Sequence, residues 1–177
     1  AEGTWLIRPE AASLGAGSDG PWHAWLWGAV LDVTSRLPHF QGGTNRFLTE
    51  RPASADRVLA AAFYASRHRW TTLDGEPASF FYQEPLGDIA FASSPGPRRD
   101  GVLTPDVTAP GKVVLSALAR NATLWDPDAL AFLREADGVH VGLFGSSMAV
   151  PQVAGAVALL LQLEPMLGPD RVRELLA

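Results

Sequence analysis

The 177-residue chain has 47% hydrophobic residues and a formal charge of −5, enough apolar material for a real core within the size of one domain. An acidic balance with scattered arginines (Arg67 and Arg69, Arg98 and Arg99) excludes the charge footprint of a nucleic-acid binder, and the lack of cysteine excludes disulfide frameworks, thiolate metal sites and cysteine nucleophiles. No membrane span is expected, because the apolar run 153–163 stops at Glu164 and Pro165, and Ala1–Trp5 has neither the basic start nor the apolar middle of a signal peptide.

In chain order, "TWLIR" and "WHAWLWGAVLDV" read as short strands on either side of the turn-rich "GAGSDGP". In the second strand His23, Trp25 and Trp27 share one face, and Trp22, Ala24 and Leu26 the other. Packing on a neighbouring sheet is the plainer role for such an aromatic face, with sugar or protein recognition its rival. Residues 1–49 are therefore set apart as a β-rich segment. The run 57–66, "RVLAAAFYAS", fits a strand buried on both faces, and "LGDIAFASS" and "KVVLSAL" read as further strands. "SSPGPRRDG" and "TAPGK" carry turn chemistry, with Pro110-Gly111 suited to the central pair of a type II turn. Asp126 and Pro127 are a helix start, and the pattern runs helical to about Ala136. A last helix is expected from Pro169, after a break at "EPMLGPD". Strands and helices so mixed imply an α/β layer architecture.

Between these lies "GSSMAVPQVAGAVALLLQ", residues 145–162, apolar on nearly every side and so expected to be a centrally buried helix. Pro151 removes the N–H that the Ser147 carbonyl would bond, and Gly155 allows a neighbour to approach closely. Ser147 then sits at the positive end of a helix macrodipole, where developing negative charge is stabilised.

The same residues resemble the nucleophile segment of subtilisin-like serine peptidases, Gly-Thr-Ser-Met-Ala-x-Pro-His-Val-Ala-Gly. Gly145, Met148, Ala149, Pro151, Val153, Ala154 and Gly155 match around Ser147, while Ser146 replaces Thr and Gln152 replaces His. Upstream, "PASADRVLAAAFYASRHRW" resembles the family's Pro-Ala segment and following strand. "IAFASSPGPRRDGVLTPDVTAPGKVVLSAL" resembles its Ala-x-Phe-Ser-Ser-x-Gly and Asp-Val-x-Ala-Pro-Gly blocks. The resemblance implies that residues 50–177 are the C-terminal part of a subtilisin-like catalytic domain, an α/β parallel-sheet sandwich. It also implies that Ser147 is the nucleophile of a serine endopeptidase acting on polypeptides, and that the protein is secreted or periplasmic. At Arg51-Pro52 it implies a position where family members have a cis peptide. It implies as well that catalysis requires no cofactor. Many members bind structural calcium, but capping explains Asp126 and Asp128 better, so no calcium is placed.

A serine hydroxyl needs a base to take its proton, and in this family Asp and His precede Ser in the chain. Neither a His-Gly-Thr-His block nor an Asp-Thr-Gly block occurs. The four histidines, His23, His39, His68 and His140, lack that context. His140, seven residues before Ser147, is the tempting base, yet structural or surface roles are expected for all four. Asn45 and Asn121 lack the Ala-Ala-Gly-Asn setting of the oxyanion-hole asparagine. The expectation is a fragment, a processed or split product, or an inactive relative. The fragment would have no activity alone, and upstream polypeptide would supply Asp, His and Asn. The rival from another class is a non-catalytic binding or scaffold module using the Trp22–Trp27 face.

Overall fold

In the computed structural model, the described residues are 44, 46–49, 51–80, 83–122 and 131–177. The strands read at 4–8 and 22–33 lie outside them, as do Asp126, Pro127 and Asp128. The account that follows concerns the unit Asn45–Ala177.

Five strands and two helices are present among the described residues: β1 (Ala61–Ala65), β2 (Arg69–Thr71), β3 (Pro77–Ser79), β4 (Val107–Ala117), β5 (His140–Phe144), α1 (Ser146–Leu163) and α2 (Pro169–Leu176). β1, β4 and β5 form one sheet in that order, β1 parallel and β5 antiparallel to the central β4, while β2 and β3 form a separate ribbon. The architecture is mixed α/β, as expected, with one parallel and one antiparallel pairing about its middle strand.

β4 is longer than the sequence implies, because the Thr108–Lys112 stretch read as a turn is strand. Proline has no N–H for a ladder and is tolerated in strands at irregularities. Pro110 stands opposite Tyr64, and the register with β1 slips immediately after it. A second slip follows Lys112 on the β5 side. These slips turn the strand's faces over. Ala109 packs with Phe63, Ala90 and Ala149 under α1, whereas Val113 packs with Trp70, Ala78, Leu133 and Val141 under the β2–β3 ribbon.

Two other expectations change. The segment 86–94 is not a strand. It makes one bridge, Ile89 to Tyr64, and lies along the edge of β1 through the Ala90 N–H to Phe63 carbonyl bond (3.0 Å). The helix expected as far as Ala136 is helical among the described residues only at 131–133. Tertiary pairing overrides helix propensity there, with Arg134 bridging Val141 and Glu135 bridging Thr72.

α1 covers one face of the sheet through Ala149 and Val153. It was expected to be buried all round, but Ala149 is its only buried residue; Leu159 is 64% and Leu163 85% exposed. The apolar sequence prepares several faces, and among the described residues only the sheet-facing one is covered. At 18 residues α1 also has the length and apolarity to cross a membrane, which the narrower run at 153–163 did not suggest. Core helices of soluble proteins pass the same test, and Ala149 and Val153 pack here on protein. α2 starts at Pro169 as read, and Arg173 fastens it. Its Nε donates to Asp106 Oδ1 (2.8 Å) and its Nη2 to the Val58 carbonyl (3.2 Å), while Asp106 Oδ2 accepts the Ala60 N–H (2.7 Å).

Candidate active site

Ser147 is the second residue of α1 and is exposed. The cap of that helix is Gly145, at φ 130°, a backbone region that disfavours any side chain, and no side chain caps the helix. Ser146 and Ser147 are therefore not there as caps. Among the described residues neither the Ser147 hydroxyl nor its N–H has a hydrogen-bond partner, and the Met148 N–H turns back to the Gly145 carbonyl (3.0 Å). A hydroxyl and an orphan donor thus stand side by side at the positive end of an 18-residue helix with no acidic residue in its first turn.

The seat beneath them is backbone on backbone. The Gly145 N–H donates to the Gly111 carbonyl (2.8 Å). A Cβ on Gly111 would overlap the Phe63 side chain and lie 3.0 Å from the Gly145 oxygen, so β1, β4 and the helix entrance meet at a point only glycine fits. One turn along, Gln152 Nε2 donates to the Pro110 carbonyl (2.7 Å) and to the Met148 carbonyl (2.9 Å). At the place where the sequence motif departs from His, an amide holds the helix to β4. These roles of Gln152 and Gly111 were not read from sequence.

The other candidates among the described residues are not gathered here. His140 opens β5, whereas Ser147 follows its far end. At about 3.3 Å per residue the strand alone separates the two by more than 10 Å. His140 Nδ1 bonds Asp137 Oδ2 instead (2.6 Å), the orientation expected of a base but with no nucleophile beside it. That bond, with the Val139 and His140 N–H groups, holds the Asp137 carboxyl below its ordinary range against a smaller opposing effect of desolvation. His68 is engaged with the Glu84 carbonyl. Asn121 is exposed and follows β4, beyond the end that pairs with His140. Asn45, His23, His39 and the Trp22–Trp27 face lie outside the described residues. Among the described residues no three His, Asp or Glu side chains converge to hold a metal ion.

Sequence reasoning also missed the β2–β3 ribbon and the aromatic group it forms. Trp70 stacks near Phe80 (5.0 Å) and Phe132 (5.2 Å), and Phe80 meets Phe144 edge-to-face (4.8 Å). Asp74-Gly75 between Trp70 and Phe80 was the available hairpin signal.

The serine-bearing helix start and its glycine seat agree with the comparison of the whole chain. The sequence model of the subtilase family matches residues 34–177. The chain belongs to the subtilase family. Among similar proteins, the serine protease AprX of Bacillus subtilis is 39% identical over 153 residues, which is 86% of this chain and 30% of AprX. An uncharacterized protein of Aquifex aeolicus is 32% identical over 147 residues, 83% of this chain and 59% of that protein. The subtilisin-like protease SBT3.7 of Arabidopsis thaliana is 32% identical over 114 residues, 63% of this chain and 13% of the plant protein. This subtilase chain thus spans 59% or less of each.

Proposed function

We propose that this chain carries the nucleophile half of a serine endopeptidase, with Ser147 attacking the scissile carbonyl of a polypeptide. The observation that carries this reading is the exposed Ser147 hydroxyl, beside its own N–H at the positive start of α1. The proton leaves Ser147 Oγ for a histidine oriented by an aspartate, both supplied by polypeptide other than these 177 residues. The tetrahedral oxygen takes a hydrogen bond from the Ser147 N–H and from a supplied asparagine. Collapse breaks the C–N bond, the histidine hands its proton to the departing amine, and the acyl-enzyme is then hydrolysed by water. Alone the chain has no activated nucleophile. Loss of triad partners costs on the order of 10⁴ to 10⁶ in rate, and loss of one oxyanion donor a further ~10². On family grounds we assign the working enzyme a secreted or periplasmic location, and residues 1–49 the role of a β-rich accessory segment.

A fluorophosphonate probe tests the reading. The 177-residue chain should label negligibly, and polypeptide that also supplies His, Asp and Asn should label stoichiometrically on Ser147 and lose that labelling in Ser147→Ala. Rapid labelling of the 177-residue chain would overturn the dependence on supplied groups. No labelling of the completed polypeptide would overturn the peptidase reading.

A further inference from the structure

We propose that the aromatic ledge ending in Phe132 and Phe144 is a subsite that takes an apolar or aromatic side chain of the polypeptide substrate, an inference that rests on Ser147 being the nucleophile. The ledge is one continuous group of four rings. Trp70 is its sealed floor, 3% exposed, and its Nε1 donates to the Phe132 carbonyl (2.9 Å), which fixes the 131–133 turn over the indole. Phe80 is half-buried and touches the other three, at 5.0 Å from Trp70, 6.3 Å from Phe132 and 4.8 Å from Phe144. The tilted and edge-on arrangement, 51° to 76° between planes, is the favourable one for aromatic pairs and holds each ring in place.

Two of these rings are not used up by the packing. Phe132 remains 42% and Phe144 44% exposed. Phe144 ends β5 and precedes Ser147 by three residues, so their Cα atoms are at most about 10 Å apart. An extended substrate rises about 3.3 Å per residue, which places the Phe144 end of the ledge within about three residues of the scissile bond. An apolar surface at that range, with the Phe132 and Phe144 rings open above Phe80 and Trp70, fits the side chain of a phenylalanine or leucine and gains nothing from a glycine. The three-residue separation of Phe144 from Ser147 distinguishes this patch from the exposed leucines towards the far end of α1.

The test reads binding, which does not require the triad. The isotope-labelled 177-residue chain bearing Ser147→Ala is titrated with a capped alanine peptide containing one Phe, and with the same peptide carrying Gly or Lys there. The Phe peptide should move the Phe132 and Phe144 ring resonances and bind about tenfold tighter than the Gly peptide. Phe144→Ala should erase that preference and Phe144→Leu should keep part of it, the second variant guarding against a fold defect in the first. Equal binding of all three peptides, or shifts confined to other regions of the chain, would overturn the proposal, as would a Lys peptide binding as well as the Phe peptide. Fluorophosphonate labelling of the completed polypeptide reports separately on the nucleophile, so the two readings fail by different measurements.

Discussion

Lys112 is the side chain least expected where it lies. It is 3% exposed within β4, its Nζ donates to Glu84 Oε2 (2.6 Å) and sits 5.3 Å from the centre of the Phe91 ring. Burial alone would raise the Glu84 carboxyl, but the Lys112 ammonium and the Phe91 N–H (2.7 Å to Oε1) outweigh it and hold the group below its ordinary value. The stabilisation from Glu84 is therefore fully present above the unfolded-state carboxylate pKa and is lost as pH falls through the lower folded value. Removing the carboxylate takes a charged partner away from a buried ammonium. Glu84→Gln should cost about 3–5 kcal/mol in urea unfolding near neutral pH, whereas Glu84→Leu with Lys112→Met should recover much of that. The mutant should also lose part of the acid-induced destabilisation of the parent. Sequence offered no route to this pair, since "TAPGK" has turn composition and nothing local ties residue 112 to residue 84. The place of Ser147 at a helix start was legible because its setting is local: a glycine, a short motif and an apolar run.

Elements that depend on nearby residues were read well, and those that depend on distant partners were not. α2 follows from Pro169 and its polar–apolar spacing, and α1 from its composition. β4 had to be seen, because Pro110-Gly111 becomes strand only when Phe63 and Gly145 close around it. Gly111→Ala should accordingly lower stability by about 1–3 kcal/mol through overpacking, measured by thermal or denaturant unfolding. On α1, Gln152→Leu removes two donated hydrogen bonds and should cost about 1–2 kcal/mol by the same measurement. Gln152→His, which restores a donor, should recover part of the loss. Leu159→Ser, on the uncovered side of the same helix, should stay within about 0.5 kcal/mol of the parent. A cost of several kcal/mol for that last change would mean that the face is covered in solution.

At the scale of the whole molecule, the apolar character that made α1 read as central is the character that leaves it exposed here. Among the described residues Leu159, Leu163 and Met166 stand exposed at and beyond the end of α1, and exposed apolar side chains near one another favour association. The 177-residue chain should therefore self-associate with rising concentration, as measured by sedimentation velocity, and Leu159→Ser with Leu163→Ser should shift it towards monomer. The serine seat has a different consequence. It is assembled from peptide groups and one carboxamide, none of which titrates near neutral pH. In the proposed peptidase, the pH profile near neutrality should then follow the histidine that takes the Ser147 proton rather than the seat beneath it.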